Sequence, residues 1–208
     1  MGSESVKKNI LFLLLVLTAV FSVTAEAVGT IIDYEGSSFG ASIPPWVRDV
    51  AAGDAKRLQK HLGLAAESKV WILPVTGDSL DFISAWADSF DIVTLVISDV
   101  EQAVKTALEA DPKLSASDKA RIQEAAAREL SLLTVSGLSK STAFWIRSVP
   151  DAGDKTAFYT YYAVFTMRKD VWSRQIDAML SNIENLSARA KKTAAAELRK
   201  ISILQPPE

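Results

Sequence analysis

Four aspartates fall in two pairs of equal spacing, Asp78-x-x-Asp81 and Asp88-x-x-Asp91. Convergent carboxylates are what glycoside hydrolysis and two-metal catalysis require, so this spacing is the first place to look for chemistry. On a helix turning about 100° per residue, however, Asp81 and Asp88 lie nearly opposite the Ile83–Trp86–Phe90 stripe and point to solvent. Asp78 is placed to cap that helix instead. His61 is the only histidine; at the end of a helix its imidazolium favours the dipole, a structural role. No G-x-S-x-G, H-E-x-x-H or P-loop occurs, and these are the spacings that present a nucleophile, a zinc ion or a phosphate cradle. The residues therefore predict no catalytic, metal or cofactor site.

Binding has better material. Trp46, Trp71, Trp86, Trp145 and Trp172 stand beside the cluster Phe158, Tyr159, Tyr161, Tyr162 and Phe165. Ring faces take sugars or peptides, but large aromatics also fill cores, and every one of these positions suits the predicted core. If one surface is functional, the residues expected to carry it are Phe158, Tyr162 and Arg147, on the two strands of a hairpin whose register decides whether they share a face. A second candidate surface is the run Ile92-Val93-Thr94-Leu95-Val96-Ile97. On a helix Val93, Thr94 and Ile97 continue a buried stripe, while Ile92, Leu95 and Val96 lie on the other side. A helix apolar all round is buried all round; the alternatives are a partner-binding patch, or a local strand given the β-branched content. Asn185-Leu186-Ser187 matches a glycosylation sequon but is expected mid-helix, a chance match.

The elements that must position these residues follow from periodicity and punctuation. An extended arm over 28–43 contains one candidate edge strand, Thr30 to Tyr34. Pro44-Pro45-Trp46 opens a helix, since proline suits the first turn, and Gly63 closes it. Lys69 to Val75 reads as a buried strand, with Pro74 confined to its end or an edge because it cannot donate to a ladder. A long helix is predicted from Asp78 to Glu109, then an alanine-rich helix from Ser117-Asp118 toward Gly137. Ala143–Val149 and Thr156–Arg168 form the hairpin around turn residues 150–155. One long helix from Lys169 to about Ile201 ends with a basic stretch, Arg189, Lys191, Lys192, Arg199 and Lys200, and a tail covers 202–208. The fold class predicted is α+β: a small, mostly antiparallel sheet of three or four strands, covered by helices on one face, in a single domain over 44–201.

The compartment is read from the first residues. Lys7 and Lys8 precede an apolar run from Ile10 to Val23 and the triplet Ala25-Glu26-Ala27. Basic start, apolar centre and A-x-A exit are the parts of an export signal; the run falls short of the ~20 apolar residues of a spanning helix. Cleavage near Ala27 is expected, giving a periplasmic or secreted protein with no stable membrane anchor, although a retained leader would act as one. The 208 residues contain no cysteine, so lipid attachment through an N-terminal cysteine is excluded. Packing alone must hold the fold, which a domain of roughly 150 residues can manage by burying about 70% of its unfolded surface. A net charge of −2 with both signs mixed argues against a nucleic-acid partner, which calls for a clustered basic face.

Taken in order, the export signal, the Pro44-Pro45-Trp46 opening, a strand followed by an alanine-bearing helix, and a late aromatic strand (Phe158–Arg168) leading into a final helix resemble the LPP20-type proteins, small exported envelope proteins of diderm bacteria. The resemblance covers roughly Pro44 to Leu180. It implies a non-enzymatic protein with an envelope or flagellar protein partner, acting near flagellar or envelope assembly; self-association is the other partner expectation. Two departures stand out: the lipidated N-terminal cysteine of typical members is absent, and the helical region between first strand and hairpin is enlarged. The alternative is a periplasmic module binding a glycan, peptide or small molecule on an aromatic hairpin face.

Overall fold

The computed structural model describes residues 29–52, 54–64, 67–151, 153, 155–200 and 202–204. The expected leader, with its Ala27 exit, and the end of the tail lie outside the described residues.

The chain is α+β, built on one mixed five-stranded sheet of order β1-β3-β4-β2-β5. The strands are β1 (Thr30–Tyr34), β2 (Ser68–Gly77), β3 (Ser139–Val149), β4 (Phe158–Arg168) and β5 (Ser202–Ile203). The first four pair antiparallel; β5 runs parallel to β2. The sheet thus exceeds the three or four strands expected, because both flanking segments join it. The candidate strand in the arm pairs with β3, and two residues of the expected tail pair with Trp71 and Ile72.

Seven α-helices occur among the described residues: α1 (Pro45–Ala51), α2 (Ala55–His61), α3 (Leu80–Ser89), α4 (Ile92–Glu109), α5 (Ala116–Ser131), α6 (Lys169–Asn182) and α7 (Ala188–Leu198). Three predicted helices are broken by side-chain caps that satisfy orphan N–H groups. Asp54 accepts from Arg57 N at 3.0 Å and restarts the first helix as α2. Asp91 accepts from Val93 N and from Thr94 Oγ1, each at 3.1 Å, and separates α4 from α3. Ser187 accepts from Ala190 N at 3.0 Å and starts α7 after a turn in which Asn185 takes φ 60°. The Asn185-Leu186-Ser187 sequence is therefore in a turn, not mid-helix. Two other starts differ by a residue or two: Ser79 rather than Asp78 caps α3, and Ser115 rather than Ser117 caps α5.

Strand alternation sends successive side chains to opposite sides, and helices cover both sides, not one. On one face Trp71, Leu73, Val75, Tyr161, Ala163, Phe165 and Met167 form the larger core with α3 to α7. There Trp71 and Trp172 meet edge to face at 4.8 Å. Gly77 lets α3 lie close, since a Cβ at that position would stand 2.7 Å from Ile83 Cγ2. On the other face Val70, Ile72, Phe144, Ile146, Tyr162 and Val164 meet Trp46, Val47, Val50 and Leu58 of α1 and α2.

The segment after α7 is fastened by polar bonds. The Trp172 indole N–H donates to Leu198 O at 3.1 Å. Lys69 Nζ donates to Lys200 O and, at 3.1 Å, to Ser202 Oγ, which donates to Asp99 Oδ2 at 2.7 Å. Leu204 N donates to Ile72 O at 2.8 Å. Because Ile72 turns its backbone toward β5, Pro74, two residues on, turns its hydrogen-less nitrogen to the same side, past the end of β5. The proline thus sits at an edge, as expected.

Candidate functional site

Register separates the three hairpin residues expected to act together. Arg147 pairs with Tyr159, whereas Phe158 pairs with Ser148 and Tyr162 with Phe144. Directly paired residues share a face, so Phe158 and Tyr162 point toward α1 and α2 and Arg147 toward the opposite side. Tyr162 is buried, its ring edge-on to Trp46 at 6.3 Å, and burial pushes its phenol up to about 12. Phe158 is half-buried. Tyr162 belongs to the core.

The apolar run on α4 is equally divided. Val96 is completely buried. Ile92, Leu95 and Ile97 are half-buried against the larger core, where α4 packs along α5 and α7. The cap at Asp91 resets the helical phase, so the buried positions become Val96, Val100, Ala103, Val104, Ala107 and Leu108 instead of a continuation from α3.

The carboxylates do not converge. Asp78 and Asp81 are exposed, Asp91 is a cap, and Asp88 pairs with Lys140 of β3. No group of three or more metal-ligating side chains occurs among the described residues. His61 Nδ1 lies 2.6 Å from Oδ2 of the buried Asp49, its N–H donating, which ties the end of α2 back to α1.

What the structure does assemble is a strip along β3, on the face of the larger core. The helices that approach this face, α3 and α6, lie over β2 and β4, leaving the β3 side less covered. There Trp145, Arg147 and Tyr159 are half-buried. Trp145 meets Tyr159 edge to face at 5.8 Å, and the Arg147 guanidinium lies 5.3 Å from the Tyr159 ring centroid. Arg147 Nε is buried with no acceptor, and Arg147 forms no ion pair among the described residues.

Two neighbours complete the strip. Lys140 Nζ donates to Tyr161 Oη at 2.7 Å and to Asp88. Burial alone would lower its affinity for protons, but these two bonds outweigh it and raise the ammonium above its ordinary range. Asp33 of β1 stands opposite Arg147 in register. It accepts from Ser37 Oγ at 2.6 Å and Tyr34 N at 2.8 Å, and these bonds, more than Arg147, hold its carboxyl below the usual range.

Of this strip, Arg147 was among the expected site residues; Trp145, Tyr159, Lys140 and Asp33 were not. Trp145 and Arg147 are two apart on one strand, and that spacing alone puts them on one face. No family model, curated protein or solved structure matches the chain.

Proposed function

We propose that this chain is a non-enzymatic binding protein of the cell envelope, exported by its N-terminal leader and engaging its target through the Trp145–Arg147–Tyr159 strip. The observation that carries the reading is an arginine fixed against a tyrosine ring, with a buried, unsatisfied Nε and no ion-pair partner among the described residues. A buried donor without an acceptor costs about 1–3 kcal/mol, and that cost is recovered when an acceptor arrives. Half-open aromatic rings beside it supply contact area. The paired carboxylates, by contrast, do not converge: Asp91 is spent on a cap, Asp88 on an ion pair, and Asp78 and Asp81 are exposed, which supports binding over hydrolysis. The LPP20-type resemblance adds the setting, near envelope or flagellar assembly.

The test is a photo-crosslinking residue placed at Trp145 in the full chain, irradiated in intact cells before fractionation. Adducts with an envelope component from position 145, and none from the same residue at core position Trp71, are expected. Equal crosslinking from both positions, or the unprocessed chain dissolved in cytosol with Met1 intact, overturns the reading.

A further inference from the structure

We propose that the strip binds a carboxylate-bearing sugar, Arg147 taking the carboxylate and Trp145 lying under the sugar ring. The inference rests on the binding reading above and adds the chemistry of the ligand.

Arginine matches a carboxylate because its planar guanidinium offers two parallel N–H donors. The guanidinium already lies over the Tyr159 ring, 5.3 Å from its centroid, a contact that restricts the side chain and reduces the freedom lost on binding. Lys140, the other cation of the strip, is neutralised by Asp88; Arg147 has no such partner among the described residues. Asp33 faces Arg147 and attracts it, but the two form no ion pair; Ser37 Oγ and Tyr34 N both donate to Asp33 Oδ1.

Trp145 decides between a sugar and a bare acid. It and Arg147 are two residues apart on β3, hence about 7 Å along the strand. That separation suits a pyranose ring lying on the indole with its exocyclic carboxylate at the guanidinium. A bare acidic side chain, such as that of glutamate, would use Arg147 and leave the indole idle. The charge of Asp33, facing Arg147 across the ladder, limits how much negative charge the strip accepts, because like charges brought together oppose binding. A single carboxylate is favoured over a phosphate dianion.

The experiment titrates the full chain, by calorimetry and tryptophan fluorescence, with tetragalacturonate, its neutral methyl ester and tetraglutamate. Tetragalacturonate is expected to bind, with the ester at least about tenfold weaker, a difference of about 1.4 kcal/mol. R147K, which keeps the charge but loses the paired donors, should lose a similar factor, and W145L should weaken the acid and the ester alike. Circular dichroism checks that both variants fold; should either fail, the acid-against-ester comparison on the parent chain decides. Equal binding of acid and ester, or tetraglutamate binding as tightly as tetragalacturonate and indifferent to W145L, overturns the proposal. Silence of all three probes while Trp145 still crosslinks removes the sugar acid and leaves the binding reading standing; loss of the crosslink as well removes both.

Discussion

The Lys69 ammonium is buried on β2, 4.9 Å from the Trp71 ring centroid, and donates to Lys200 O and Ser202 Oγ. Burial lowers its proton affinity from an ordinary 10.5 to about 8, with Asp99 opposing the shift and Lys169 adding to it. Between those pH values the unfolded chain holds a proton that the folded chain has released, so stability rises with pH across this window. At about 1.4 kcal/mol per tenfold change in affinity, the gain is on the order of 3 kcal/mol. Tyr162 acts with the opposite sign. Its phenol is raised from 10.0 to about 12, so above pH 10 the unfolded chain ionises first and stability falls. Urea unfolding measured from pH 7 to 12 should therefore show a maximum near pH 10. K69M should remove the rising limb and Y162F should shrink the falling one, to which Lys140, its proton affinity raised in the fold, also contributes; a K69M curve parallel to that of the parent chain would refute the assignment. The burial of Tyr162 agrees with the core-filling reading of the aromatics, whereas that of Lys69 was not legible from its type. A lysine that opens an apolar strand looks like a solvated end until β5 covers it, and β5 is too short to be seen as a strand.

Helix boundaries were the least legible feature among the elements, for a physical reason. The apolar stripe runs from Ile83 to Leu108 with neither Gly nor Pro to interrupt it, so periodicity reports one helix. The break is made by Asp91, whose carboxylate serves Val93 N and Thr94 Oγ1. An aspartate on a helix surface and an aspartate capping a new helix have the same type; Thr94, three residues on, was the only available hint. Removing such a cap costs about 1 kcal/mol. D91A should lower stability by that amount, while D91N, which keeps an acceptor, should lose less; thermal melts compare them. An unchanged melting temperature in D91A would mean that packing alone sets the junction. The same reasoning covers Ser187, which caps α7 and also donates to Asp111 Oδ2 at 2.8 Å. Both hairpin strands were legible, because alternation is local, although β3 begins at Ser139 rather than Ala143 and β4 at Phe158 rather than Thr156; their register was not, and it separated Arg147 from Phe158 and Tyr162.

At the scale of the molecule, one sheet divides two cores, so α1 and α2 are as integral as the larger helical layer. Leu58, completely buried in the smaller core, tests this. L58A should cost about 2–5 kcal/mol and shift fluorescence and far-UV transitions together in urea. A small loss, or separate transitions, would show that layer melting on its own. The α+β class was legible because helix-period and strand-period segments alternate unevenly along the chain. That helices cover both faces was not, since the face holding Thr160, Tyr162 and Thr166 carries hydroxyls that resemble a wet surface. The two rims of the sheet differ as well. One ends in β1, whose pairing slips between Ile31 and Asp33. On the other, beyond β5, the ladder meets Pro74. Neither rim offers a long straight row of donors and acceptors, the template on which sheets grow into fibres. A sequence without cysteine has no covalent bridge to hold its sheet together, and the shape of these margins gives neighbouring copies little to pair with.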